Sequence, residues 1–181
     1  CEVFRSFGCV FSGCKDYTIE KQLQGSNCTI LKVKTLADED RVLKVVPTGK
    51  RLEEDLKNEV RVLMSLSHPF INGCYGIFTD GFNTVMECEA QQTDLLNLLQ
   101  EKGKLPLAEG LPLITGIMHA VEDMHNRGYV HRDIKPDNIL IGSCSKLADF
   151  GFTHQNKAEF LVRQCGTYGY MAPEILTPTW P

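Results

Sequence analysis

Between residues 17 and 46 the apolar and β-branched side chains recur in strand fashion: Tyr17 and Ile19, then Thr29, Leu31 and Val33, then Val42 and Val45. Gly25 and the polar stretch Ala37-Asp38-Glu39-Asp40 interrupt the run, so three antiparallel strands are expected. From Leu52 to Leu66 the period changes to Leu56, Val60, Leu63 and Leu66, one face of a helix, with Glu53, Glu54 and Asp55 in its first turns where the helix dipole favours acids. Tyr75 to Phe78 and Asn83 to Cys88 flank Asp80-Gly81, a hairpin turn signal, and add two strands. Beyond residue 92 the pattern is mainly helical, first Leu95, Leu98 and Leu99, then Leu111, Ile114, Met118, Val121 and Met124. The pattern therefore predicts an N-terminal extension over 1–16, a strand-rich lobe over 17–90 and a helical lobe over 91–181, with the boundary in the aperiodic segment 88–93.

Two polar loops break the second half. His131-Arg132-Asp133-Ile134-Lys135-Pro136-Asp137-Asn138 runs directly into the apolar Ile139-Leu140-Ile141, and Asp149-Phe150-Gly151 follows the short Lys146-Leu147-Ala148. A small hairpin between them would bring the acids of both loops face to face. In the first half, Glu59 lies three residues after Leu56 and four before Leu63, on the apolar stripe of its helix. An inward carboxylate requires a cation, and Lys44 in the third strand is the candidate, the alternative being a Glu satisfied on its own helix face.

Composition narrows the function classes. A formal charge of -4 and a pI near 5.7 provide no general attraction to nucleic acid or anionic lipid. No apolar run approaches the ~20 residues of a membrane-spanning helix, so no membrane partner is expected. Eight cysteines are scattered without any Cys-x-x-Cys pair, and free thiols in a reducing cytosol or nucleus are the expected state. The chain opens on Cys1 and runs out after Leu176 without a closing element, which reads as a fragment.

The order His131-Arg132-Asp133-Ile134-Lys135-Pro136-Asp137-Asn138, Asp149-Phe150-Gly151, Cys165-Gly166-Thr167 and Ala172-Pro173-Glu174 resembles eukaryotic-type protein kinase domains of the Ser/Thr class. The resemblance implies an α+β, two-lobed kinase-like fold that uses ATP and Mg2+ and a protein substrate with a Ser or Thr acceptor. By position it implies Asp133 as the base that takes the acceptor proton and Asn138 and Asp149 as the metal ligands. Lys135 would neutralise charge on the transferring phosphoryl group, and the Thr167 hydroxyl would bond near Asp133. On the nucleotide side it implies Lys44 paired to Glu59, Met86 at the back of the adenine pocket, and the backbone of Glu87, Cys88 and Glu89 against adenine. Asp94 would contact ribose or substrate, while Val42 and Leu140 either sandwich the adenine ring or are ordinary core residues.

Three departures accompany the resemblance. Of the glycine-rich phosphate loop only Gly25 remains, in Leu23-Gln24-Gly25-Ser26-Asn27-Cys28-Thr29, and weakened ATP affinity is expected. Arg163 stands where many relatives carry a phosphorylatable Thr, so activity without phosphorylation at that place is expected. The helices that follow Glu174 in the family are missing, which predicts marginal stability. A nucleotide-sensing scaffold without catalysis is the alternative reading.

Overall fold

A computed structural model of the chain describes residues 17–24, 28–49, 51–155 and 165–176. The described residues up to Arg61 and the segment Gly73–Ala90 form one compact unit; Val62–Asn72 and the described residues from Gln91 onward form another.

The first unit is built on five antiparallel strands, β1 (Tyr17–Gln24), β2 (Thr29–Thr35), β3 (Asp40–Pro47), β4 (Cys74–Thr79) and β5 (Asn83–Glu89), in the order β1-β2-β3-β5-β4. Strand periodicity divides their side chains between two faces. Leu31, Val33, Leu43, Val45 and Val85 form a buried cluster on one face, with Tyr17, Ile19 and Phe78 packed against it. Val42, Lys44, Met86 and Cys88 belong to the opposite face, because β3 and β5 pair Val42 with Cys88 and Lys44 with Met86. The β4–β5 turn closes on Asp80, whose Oδ1 accepts from the backbone N–H groups of Phe82 (2.9 Å) and Asn83 (2.7 Å). Gly81 there has φ +88°, a conformation that costs a residue with a Cβ far more.

Helix α1 (Arg51–Ser65) buries Leu56, Glu59, Val60 and Leu63, the stripe predicted from the sequence. Its first turn is tied down by Glu53. That carboxylate accepts from Gly49 N–H, from Thr84 Oγ1 on β5 (3.0 Å) and from Lys57 Nζ (2.9 Å).

The second unit contains helix α2 (Leu95–Lys102), helix α3 (Leu107–Asn126) and the short α4 (Pro173–Leu176). Three small strands, β6 (Thr93–Asp94), β8 (Ile139–Ile141) and β9 (Ser145–Leu147), make one sheet; β7 (Tyr129–Val130) and β10 (His154–Gln155) make another. The β8–β9 pair is the hairpin expected between the two polar loops, and a turn of 3-10 helix, Pro136–Asn138, feeds into it.

The helical pattern Leu111, Ile114, Met118, Val121 and Met124 does form α3, but its residues divide: Leu111, Ile114 and Met118 are exposed, at 57%, 46% and 66%, whereas Met124 is buried together with Gly116, Ile117 and Ala120. A Cβ at Gly116 would lie 2.8 Å from a ring carbon of Phe70 and 2.9 Å from Ser145 Oγ. The small residues Gly116 and Ala120 allow α3 to approach its neighbours closely, and this close fit, rather than side-chain size, selects the buried face.

Candidate active site

In the second unit the loop between β7 and β8 is held by His131. Its Nδ1 accepts from the Asp133 backbone N–H (3.3 Å), and its Nε2 lies 3.1 Å from the Ala148 carbonyl oxygen. An N–H can only donate and a carbonyl can only accept, so the ring is neutral with its proton on Nε2. The imidazole is 2% exposed and meets the Phe150 ring edge-on, with centroids 4.9 Å apart. One side chain thereby joins the two polar loops. Arg132 and Asp149 have φ of +73° and +61°, uncommon for residues with a Cβ and associated with strained functional loops.

Asp133 is buried at 3% exposure, and its two oxygens are separately engaged. Oδ1 accepts from Thr167 Oγ1 at 2.7 Å. Oδ2 accepts from Asn138 Nδ2 at 3.0 Å and lies 3.0 Å from Lys135 Nζ. Lys135 also donates to Thr167 Oγ1 at 2.7 Å, so the threonine hydroxyl receives from the ammonium and gives to the carboxylate. Burial is the largest influence on the Asp133 carboxyl and pushes its pKa up. The bonds from Thr167 and Lys135, the lysine charge and the Asn138 amide together outweigh it, so the group ionises below its usual range.

Gly166 permits this contact. Its φ is +106°, and a Cβ there would lie 2.5 Å from the Arg132 carbonyl oxygen, so only glycine lets Thr167 come down onto the loop. The sequence showed Gly166 as part of a motif without revealing this close approach.

Asn138 commits its amide nitrogen to Asp133, both to Oδ2 and to the backbone carbonyl (2.8 Å), which leaves its carboxamide oxygen as the atom able to face a cation. The Ala148 N–H donates to the Asn138 carbonyl (2.9 Å), bringing Asp149 into the same neighbourhood. An amide oxygen and a carboxylate are hard donors of the kind magnesium takes. Thr153 is fully buried and its hydroxyl lies 3.5 Å from the His131 carbonyl oxygen.

The first unit holds a second group. Lys44 Nζ lies 2.7 Å from Glu59 Oε1, with the glutamate side chain 6% exposed. Val42, Met86 and Cys88 share the sheet face of Lys44. Glu87 belongs to the other face, where its carboxylate accepts from Tyr17 (3.1 Å) and lies 3.4 Å from Arg41. Only its backbone is therefore available toward the Lys44 side.

Asp94 and Leu140 are cross-strand partners in the second unit. The Asp94 carboxylate caps α2, accepting from the Asn97 backbone N–H (2.8 Å) and from the Asn97 side chain. That capping role was not foreseen. Gly25 and Arg163 lie outside the described residues. Among the described residues, no three His, Cys, Asp or Glu side chains cluster as a metal site, and no helix is long and apolar enough to cross a membrane.

Residues 17–179 match the family described as protein kinase domain. The chain is similar to calcium/calmodulin-dependent protein kinase type 1 of Macrobrachium nipponense, 35% identical over 133 residues that make up 70% of this chain and 39% of that protein. It is also 35% identical over 142 residues to serine/threonine-protein kinase cds1 of Schizosaccharomyces pombe, covering 75% of this chain and 31% of that protein. Serine/threonine-protein kinase D2 of Homo sapiens is 36% identical over 132 residues, 68% of this chain and 15% of that protein. The chain thus spans well under half the length of these relatives.

Proposed function

Because this chain belongs to the protein kinase domain family, we propose that it transfers the γ-phosphoryl group of ATP to a serine or threonine hydroxyl of a protein substrate. The observation that carries the reading is the bonded set Thr167–Asp133–Lys135, in which a hydroxyl already donates to one oxygen of a buried carboxylate while a lysine ammonium lies beside the other.

An acceptor hydroxyl entering this loop donates to Asp133 as the Thr167 hydroxyl does. A carboxyl whose pKa lies below the usual range is a weak base toward an alcohol, so Asp133 chiefly orients the acceptor oxygen. It takes the proton late, as the new oxygen–phosphorus bond forms, the bond from phosphorus to the leaving diphosphate oxygen breaks, and the alcohol becomes acidic. Lys135, fixed between Thr167 and Asp133, supplies positive charge where negative charge moves between oxygens. Asn138 and Asp149 are the oxygen donors for magnesium, which when bound neutralises the phosphates.

On the nucleotide side, Lys44, kept in position by Glu59, binds phosphate oxygens, and Met86 and Val42 line the same sheet face beside the backbone of Glu87, Cys88 and Glu89. Leu140 completes the apolar lining. Asp94, which caps α2, is also the proposed contact for ribose or substrate. Activity is proposed not to depend on phosphorylation at the place in the sequence held by Arg163. A reducing intracellular compartment suits the thiols of the strands.

The test is transfer of radiolabelled phosphate from ATP to a generic protein substrate, with Asp133→Asn and Asp149→Asn alongside the parent chain. Label incorporation that needs magnesium and is lost in both variants is expected. Magnesium-dependent ATP binding without transfer by the parent would select the scaffold reading instead.

A further inference from the structure

Cys74 on β4 and Cys88 on β5 are direct cross-strand partners in the antiparallel register. Residues so paired have Cα atoms about 4.5–5.5 Å apart, within the roughly 4.4–6.8 Å that a disulfide spans. Cys74 Sγ donates to the Gly76 carbonyl oxygen at 3.8 Å. Their surroundings differ. β4 is the edge strand and Cys74 is partly exposed there, while Cys88, one strand further in, is 6% exposed.

We propose that Cys74 and Cys88 form a peroxide-sensitive dithiol, Cys74 being oxidised first and Cys88 closing a reversible disulfide across β4 and β5. The interaction between the two thiols is the chief reason that Cys74 ionises below its usual range; the same interaction, followed by burial, pushes Cys88 well up. The direction favours the nucleophilic thiolate on Cys74, which is also the partner that an oxidant can reach on the edge strand. In the first step the Cys74 sulfur attacks one oxygen of a hydroperoxide, the O–O bond breaks, and Cys74 becomes a sulfenic acid as hydroxide or alkoxide departs. In the second, the Cys88 sulfur attacks the Cys74 sulfur, the S–O bond breaks, and the oxygen leaves as water with the Cys88 proton. Two thiols lose two electrons and two protons, the hydroperoxide is reduced to water and an alcohol or a second water, and a dithiol reductant reverses the change.

This inference does not depend on phosphoryl transfer and is read by mass alone. The chain is exposed to a small excess of hydrogen peroxide, remaining thiols are alkylated, and non-reduced peptides are mapped. The expected result is a linkage of the Cys74 and Cys88 peptides with loss of two hydrogen atoms, abolished by dithiothreitol. In Cys88→Ser, Cys74 should be trapped by dimedone at least about tenfold faster than Cys88 is in Cys74→Ser. Overoxidised Cys74 with no linkage, linkage of either cysteine mainly to a third, or faster trapping of Cys88 would each overturn the proposal. The unsubstituted chain decides the linkage even if a variant fails to fold.

Discussion

At the scale of single residues, the Thr167 hydroxyl is the clearest test of the proposed mechanism. Thr167→Val keeps the shape and removes a bond to a charged group, worth about 1.5–3 kcal/mol. If the bond is made equally in the transition state, kcat should fall about 10–100-fold, while Thr167→Ser should restore most of it; steady-state kinetics of both variants checks this. The acid side of the rate profile is a second prediction. Because the Asp133 carboxyl is held below its ordinary value of 3.8, the oriented carboxylate persists above that pH and is lost only as pH falls further. Activity governed by this group should stay level down to the ordinary value; a decline centred near neutrality would assign the limb to another group. Much of this was legible in the sequence, since Asp133, Lys135, Asn138 and Thr167 stand in motifs whose order alone pointed to them. The roles of His131 and Gly166 were not, because a shared tautomer and a missing Cβ matter only once distant segments meet.

Among the elements, β3 and α1 are coupled by Lys44 and Glu59. Lys44→Met leaves the glutamate buried without this cation and should cost about 3 kcal/mol, seen as a lower denaturation midpoint. The double variant Lys44→Met, Glu59→Leu should recover most of that stability while phosphoryl transfer stays low, which separates packing from chemistry. The start of α1 has its own acid-sensitive clamp. Gly49 N–H, Lys57 and Thr84 lower the Glu53 pKa from 4.5 to about 2. A depressed carboxyl stabilises the fold fully above its unfolded value and loses that contribution as pH falls through the folded one. Chemical denaturation of the parent and Glu53→Gln should therefore differ at neutral pH and converge between pH 4.5 and about 2. The Lys44–Glu59 pair was legible because helical spacing turned Glu59 inward. The Glu53 clamp was not, since it joins a turn, a helix and β5 through partners up to 31 positions apart.

For the molecule as a whole, nucleotide binding and folding are linked. Magnesium and ATP at about 100 times the dissociation constant should add about 2.7 kcal/mol to stability, and a melt should show the shift with both present and lose it in Asp149→Asn. The β-rich and helical halves were legible from the change of period near residue 92, because strand and helix expose side chains at different intervals. The compact units nevertheless interleave, with Val62–Asn72 belonging to the later one, since a helix can start in one unit and end in another without any break in its pattern. On α3 two apolar faces competed, and packing chose the one with Gly116 and Ala120. By itself, then, the sequence determined the element types, the family and the polar residues offered for chemistry, because these follow from local periodicity and ordered motifs. Only the tertiary structure decided which apolar face is buried, which oxygen of Asp133 each partner takes and which two thiols meet across a sheet, because such choices depend on distances between segments remote in the chain.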